Sequence, residues 1–394
     1  MKRVAIVVPR CHEKLVGGAE AEAWQFATLL ADAYAVDVLT TTASEYVTWA
    51  NDLREGVERR DGVTIRRFRV ARERGGYFHD LHRRLIAHFD AHAEAPRVQW
   101  PEALQEEFIR AQGPVCPDMN RYLAERGDDY AAVIFMTYLY PTTYDGSRML
   151  RHRRWCLVPT LHDEAPAYFS AFAQMARDAP GLLWNSAAER RLAKRLWNVD
   201  AGPLVAMMVS TDEVQPAKEA SPYVLYCGRI DTHKGCGMLI DAFENYKRAH
   251  RSSLQLLLTG ADHIGVRMSA NVRYLGFVDE ARKFALMAGA RAFVHPSAYE
   301  SLSIVALEAM AQGTLPIVNG ASETLADHVT DSASGFVFHG EAELHAALDE
   351  MLAMSDSQRA EHARRARAYV VGNYSREQVR ARLVEQVEAL AASA

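Results

Sequence analysis

Two glutamates, two cations and a histidine carry the chemistry this sequence offers. Glu300 and Glu308 bracket seven uncharged residues, and from Ile304 to Ala311 only Glu308 is not apolar. A helix that is apolar all round is a buried helix, and a lone carboxylate on it is costly unless hydrogen-bonded. Eight residues of helix turn roughly 800°, which leaves the two glutamates about 80° apart and not stacked. The spacing therefore places Glu300 in the loop before a helix and Glu308 more than one turn inside it, with Ser301 or Ser303 as the cap. Upstream, "CGRIDTHKGCG" (227–237) projects Arg229 and Lys234 from one loop just before a helix that begins near Gly237, with Gly228 letting the chain turn. A guanidinium fork, an ammonium and a helix N-terminus make an anion site suited to a diphosphate. Carboxylates accept hydroxyl hydrogens, so the set as a whole suits a polyhydroxylated ligand that bears a diphosphate. The pattern G-x-x-x-x-G-K-[ST] is absent, so this is not a P-loop.

Taken singly, each feature has a plain structural reading. Arg229 and Lys234 would be solvated charges on a surface loop, Glu308 a carboxylate answered by a core Arg or Tyr, and His162 a buried, hydrogen-bonded histidine. His162 gains weight from its place at a strand end, followed by Asp163. Asp163 and Glu164 are not paired as glycosidase carboxylates, because adjacent residues on a strand point to opposite faces.

These residues need elements to hold them. Apolar runs at 3–8, 35–40, 63–68, 131–136, 154–159 and 181–185 alternate with helix-like segments, and after about residue 210 a second series starts: 223–228, 254–260, 272–276, 291–296, 315–320 and 335–338. Strands buried on both faces and separated by helices mean parallel sheets, and two series mean two doubly wound α/β domains. The expected division is 1–209, a linker at 210–222 ("STDEVQPAKEASP"), 223–374, and a final helix over 375–394. Residues 71–127, rich in Arg, His and Pro, read as a helical insertion in the first domain. The chain has 394 residues, 49 % hydrophobic and 24 % charged, with a net charge of −5. That length favours two domains, and that charge argues against nucleic acid as a partner. Five cysteines without a C-x-x-C pair point to a reduced, cytosolic chain without a zinc site. The apolar run after the basic start is too short for a signal peptide, and none reaches the roughly 18 apolar residues of a membrane span.

The combination of "GR…KG" with "PSAYES…LEAMAQG" resembles the donor domain of the retaining GT-B-fold glycosyltransferases of family 4, which carry two glutamates with seven residues between them in this setting. The resemblance extends to "GGAE" (17–20), "LHD" (161–163), "YLGFV" (274–278) and "NGASETLADHV" (319–329) followed by "SGFVF". It implies the GT-B architecture, two doubly wound Rossmann-like domains facing each other across a cleft. It also implies transfer of a sugar from a UDP- or GDP-sugar with retention of anomeric configuration. No metal and no cofactor beyond that co-substrate would be needed. Arg229 and Lys234 would hold the diphosphate, Glu308 would accept from the ribose hydroxyls, and Glu300 would bind the donor sugar. The backbone at Phe277 and Val278 would meet the base. Gly17 and Gly18 would let the first loop approach the donor, and His162 would face the sugar. Many members have Gly-Phe-Gly after the first glutamate; here stand Ser301, Leu302 and Ser303, a less permissive loop whose serines can still cap and donate.

The implied acceptor is a saccharide or a lipid-linked saccharide, in assembly of bacterial cell-surface polysaccharide or glycoconjugate. The basic runs 151–155, 189–197 and 364–382 read as solvated helix faces; the alternative is peripheral contact with an anionic membrane at its inner face. Trp49, Tyr77, Phe78 and Trp100 are read either as an acceptor surface in first-domain loops or as packing. A non-catalytic nucleotide-sugar binding module would share the donor site without needing His162 or the first glycine loop. An epimerase or a phosphorylase on the same two-domain fold is the rival enzyme.

Overall fold

A computed structural model of the chain describes residues 1–12, 17–92, 97–151 and 153–392. The chain divides into two compact units, Met1–Met207 with Val379–Ala394, and Met208–Gln378. Unit 1 holds the strands β1 (Arg3–Val7), β2 (Ala35–Thr41), β3 (Gly56–Arg60), β4 (Val63–Phe68), β5 (Ala132–Met136), β6 (Trp155–Val158) and β7 (Gly181–Leu182). Its helices are α1 (Gly18–Leu30), α2 (Gly76–Asp90), α3 (Glu102–Gln112), α4 (Pro117–Arg126), α5 (Pro141–Arg148), α6 (Ser170–Asp178) and α7 (Ala187–Trp197). Unit 2 holds β8 (Tyr223–Cys227), β9 (Gln255–Thr259), β10 (Val272–Tyr274), β11 (Ala292–His295), β12 (Pro316–Asn319) and β13 (Phe336–Phe338). Between and after them come α8 (Cys236–Ala249), α9 (Glu280–Gly289), α10 (Ile304–Ala311), α11 (Glu323–Ser332), α12 (Glu341–Ala353) and α13 (Asp356–Tyr374). The last helix, α14 (Arg376–Ala392), runs from the end of unit 2 into unit 1.

The first sheet has the order β3-β4-β2-β1-β5-β6-β7 and the second β10-β9-β8-β11-β12-β13. Every pairing is parallel except that of β3 with β4. Central strands such as Val4–Val7, Ala132–Met136 and Tyr223–Cys227 are wholly buried, which is why they read as unbroken apolar runs. Such sheets gather their loops beyond the strands' carboxyl ends. The fold is the GT-B architecture in its two doubly wound α/β units.

Three expectations need correction. The antiparallel edge strand β3, "GVERR", gave no sequence signal, because its residues are exposed or half-exposed and mostly polar. In the insertion, which contains α2, α3 and α4, Tyr77 and Phe78 stand on a helix, not in a loop. Phe78 and Trp49 are buried and Trp100 packs on Phe108 and Phe169, so these three are packing residues; only Tyr77 is exposed. Within the basic run 151–155, residue 152 lies outside the described residues.

Candidate functional site

The cationic loop and the first glutamate meet in unit 2. After β8 the chain turns at Gly228, with φ +146°, and runs through Arg229 and Asp231 to Gly235, which precedes α8 with φ +72°. The helix thus starts at Cys236, one residue before the expected Gly237. A Cβ at Gly235 would lie 2.8 Å from the carbonyl oxygen of Pro296. That position tolerates only glycine, and the close approach brings the Lys234 loop against the loop that follows β11. Asp231 Oδ1 accepts from the Lys234 backbone N–H at 2.8 Å and folds the loop back on itself. The Lys234 Nζ then donates to Glu300 Oε1 at 2.5 Å. Both side chains are largely buried, at 26 % and 11 % exposure. Arg229 does not join them. It stands 66 % exposed, its Nε 3.6 Å from Asp231 Oδ2.

His295, at the end of β11, completes this corner. Its Nε2 lies 3.5 Å from Glu300 Oε1, and its ring packs edge-on against Tyr226 and Phe293. Burial pushes the imidazole down to about 4, against the opposing pull of Glu300, so the ring is neutral at pH 7. Its Nδ1 is buried without a hydrogen-bond partner.

The second glutamate has a partner that the sequence did not reveal. Glu300 lies in the loop before α10, and Glu308 is the fifth residue of that helix. Glu308 Oε1 accepts from Lys283 Nζ at 2.8 Å, while Oε2 is buried without a partner. Burial pushes the Glu308 carboxyl up, and the Lys283 ammonium pulls it back. Lys283 belongs to the first turn of α9, whose Asp279 cap accepts from the Arg282 N–H at 2.7 Å. The loop just before that cap holds Phe277, 87 % exposed, and Val278, half-buried against the core. The segment expected to meet the base therefore leads straight into the helix that answers Glu308.

Between the glutamates, Ser301 and Leu302 lie in the loop, Leu302 buried with its carbonyl 2.8 Å from His328 Nε2. Ser303 occupies the N-cap position of α10 with φ +59°, a left-handed conformation that costs an L-residue energy. Its hydroxyl does not cap the helix, contrary to expectation, and its Oγ is buried without a partner. Three unpartnered buried atoms (Ser303 Oγ, Glu308 Oε2 and His295 Nδ1) thus lie on or beside this loop and helix. Native structures leave few such atoms unexplained.

The remaining expected residues belong to unit 1. Gly17 precedes α1 and Gly18 opens it. A Cβ at Gly17 would lie 2.2 Å from Glu20 Oε2, a carboxylate held by Arg10 at 2.5 Å. Residues 13–16, just before them, are outside the described residues. His162 is exposed in the loop after β6, so the reading as a buried histidine does not hold.

With this geometry in view, the comparisons are informative. Residues 210–369 match the family of glycosyl transferases group 1. All of Arg229, Lys234, Phe277, Val278, Lys283, His295, Glu300 and Glu308 fall inside that group 1 segment. The lipopolysaccharide core biosynthesis glycosyltransferase LpsE of Rhizobium meliloti is 32 % identical over 169 residues, 40 % of this chain and 47 % of that one. The chain therefore spans about half the length of that relative. The O-antigen chain mannosyltransferase B of Escherichia coli is 28 % identical over 266 residues, 57 % of this chain and 68 % of the other. Among solved structures, sucrose-phosphate synthase from Thermosynechococcus elongatus superposes over 100 % of both chains with a TM-score of 0.68 and 17 % identity, a likeness of fold. Among the described residues, no helix is long and apolar enough to cross a membrane.

Proposed function

We propose that the chain is a glycosyltransferase that moves a sugar from a UDP- or GDP-sugar to a saccharide or lipid-linked saccharide, retaining the anomeric configuration and requiring no metal. The observation that carries this reading is Glu308. A carboxylate inside an apolar helix, with one oxygen on Lys283 and the other unpartnered, is an acceptor in need of hydroxyl hydrogens. The ribose hydroxyls of a nucleotide supply them, next to the Phe277–Val278 backbone that takes the base. The diphosphate goes to Lys234, to Arg229 and to the start of α10 with the Ser303 hydroxyl, where helix N–H groups and cations favour anions.

Lys234 and Glu300 neutralise each other at 2.5 Å. A donor that brings a diphosphate and sugar hydroxyls together offers each of them a new partner at once. When the sugar–phosphate bond breaks, its electron pair goes to the diphosphate oxygen, where Lys234 and Arg229 stabilise the developing charge. The acceptor hydroxyl oxygen bonds to the anomeric carbon as its proton passes to the departing diphosphate. Glu300, released toward the sugar hydroxyls, matters most as positive charge develops on the ring. From the resemblance comes the further expectation that His162 and the Gly17–Gly18 loop of unit 1 take part in the reaction. The printed roles of the relatives, in lipopolysaccharide core and O-antigen synthesis, favour a cell-surface polysaccharide or glycoconjugate as the product.

Two variants test the assignment by calorimetry with UDP and GDP and by transfer assays. Glu308→Gln weakens nucleotide binding. Glu300→Gln leaves nucleoside diphosphate affinity nearly intact and lowers kcat roughly tenfold, about 1.4 kcal/mol. Reversed effects would exchange the two roles, and no effect from either variant would make the pair structural. Activity should persist in EDTA, and NMR of the product should show the donor's anomeric configuration retained.

A further inference from the structure

Unit 1 buries two carboxylates that the donor site does not use. Glu22, on the second turn of α1, is 2 % exposed, and Glu189, in the first turn of α7, is 3 % exposed. Asn185, in the loop after β7, stands between them. Its backbone N–H donates to Glu189 Oε2 at 2.7 Å, and its Nδ2 donates to Glu22 Oε2 at 3.2 Å. Glu189 Oε1 accepts from the backbone N–H of Leu161 at 2.7 Å. Leu161 immediately precedes His162. A single carboxylate thus ties the loop after β6 to the loop after β7.

Among the described residues, the groups that face these carboxylates include no cation. Glu22 faces Glu189 and the Asn185 amide; Glu189 faces the backbone N–H groups of Thr160, Leu161, Asn185 and Ser186. Burial, reinforced by the Glu189 charge, pushes Glu22 up to about 8. Burial also raises Glu189, to about 7, against the pull of its N–H donors. Two acceptors remain unpartnered, Glu22 Oε1 and Asn185 Oδ1. They sit on two groups already joined by one hydrogen bond. A proton on Glu22 Oε1 supplies the donor that Asn185 Oδ1 lacks, and acid and amide then pair through both ends.

We propose that Glu22, Asn185 and Glu189 form a clamp that holds one proton and positions the His162 loop for transfer. Glu22 keeps the proton and fixes the Asn185 amide, and the Asn185 backbone orients the Glu189 carboxylate. Glu189, whose ionised form its N–H donors favour, holds Leu161. Both glutamates are positioning residues, and the inference rests on His162 taking part in the reaction proposed above.

The sign of the pH dependence follows from the raised Glu22. Between the ordinary carboxyl range and about 8, the native chain binds a proton that the unfolded chain has released. Stability therefore falls as pH rises through that window and levels off above it. Glutamine at position 22 has the donor and acceptor of the protonated acid and cannot ionise. Turnover of the wild type should decline above about pH 8, and its Tm should fall between about pH 7 and pH 8, above the range of Glu189. Glu22→Gln should flatten both curves while keeping wild-type turnover at pH 7. Glu22→Ala, which leaves Asn185 unheld, should lower kcat on the order of tenfold at unchanged donor KM, as misplaced groups do. The clamp is refuted if Glu22→Gln is as impaired as Glu22→Ala, or if Glu22→Gln and wild type share one pH profile. His162→Ala separates the two layers. If that variant transfers at the wild-type rate, the positioning role falls, and the Tm curves of wild type and Glu22→Gln still decide whether Glu22 holds the proton.

Discussion

The molecule buries two pairs of glutamates and treats them in opposite ways. In unit 2, Glu300 and Glu308 each have a lysine within 2.8 Å. In unit 1, among the described residues, Glu22 and Glu189 face only amides, backbone N–H groups and each other. A carboxylate beside an ammonium can stay charged at depth, whereas one without a cation escapes the cost of burial by taking up a proton, as Glu22 does, or by collecting N–H donors, as Glu189 does. The charged pair is then free to trade its partners for a ligand's hydroxyls and phosphates. The pair without cations holds a fixed arrangement of loops. Burial alone does not say which of these a buried glutamate will do; the groups packed against it do.

The most severe way to break this contrast is to take the cation from Glu308. Lys283→Met leaves that carboxylate uncompensated, and breaking a buried pair costs about 3 kcal/mol, the low end of the usual range because Lys283 is partly exposed. Urea titration should show that loss, calorimetry should show weaker nucleotide binding, and adding Glu308→Gln should restore most of the stability. A Lys283→Met variant as stable as the wild type would erase the contrast. His295 sharpens it with a neutral base in the same corner. Because burial holds it near 4, the unfolded chain takes up a proton first as pH falls below the usual histidine value. Stability should therefore drop by about 2 kcal/mol between pH 6.5 and 5, and His295→Gln should remove that slope; an unchanged slope would place it on another group. The smallest effect is expected at Ser303. Glycine there relieves the left-handed strain and should raise stability by about 1 kcal/mol. If its hydroxyl meets phosphate, affinity for nucleoside diphosphate should fall in the same variant, and equal affinity would remove Ser303 from the site.

The strands were legible because the parallel sheets bury both of their faces, and β3 was not because nothing buries "GVERR". The placement of Glu300 before the helix and Glu308 within it followed from helical arithmetic alone. Lys283 was hidden, since its pairing depends on how α9 packs on α10, 25 residues away. Glu189 was hidden differently. It opens the basic run 189–197, which reads as a solvated face, yet its side chain is buried. The signal was present in Ser186-x-x-Glu189, the spacing of a capping box; Ser186 does cap α7, accepting from the Glu189 N–H at 3.1 Å. Ser303 misled for the reverse reason. A serine before a helix normally caps, but a residue in the left-handed region points its side chain elsewhere.

The assignment of Val379–Ala394 to unit 1 has a consequence for the order of synthesis. A ribosome finishes every residue of unit 2 before it makes the segment that completes unit 1. Val379, Leu383, Val387 and Leu390 of that segment are buried, and four such side chains contribute on the order of 6 kcal/mol, comparable to the whole stability of many domains. The first-made unit must therefore wait, with apolar surface uncovered, until Val379–Ala394 has been made. A premature stop near residue 378 would leave unit 2 whole and damage the unit translated first.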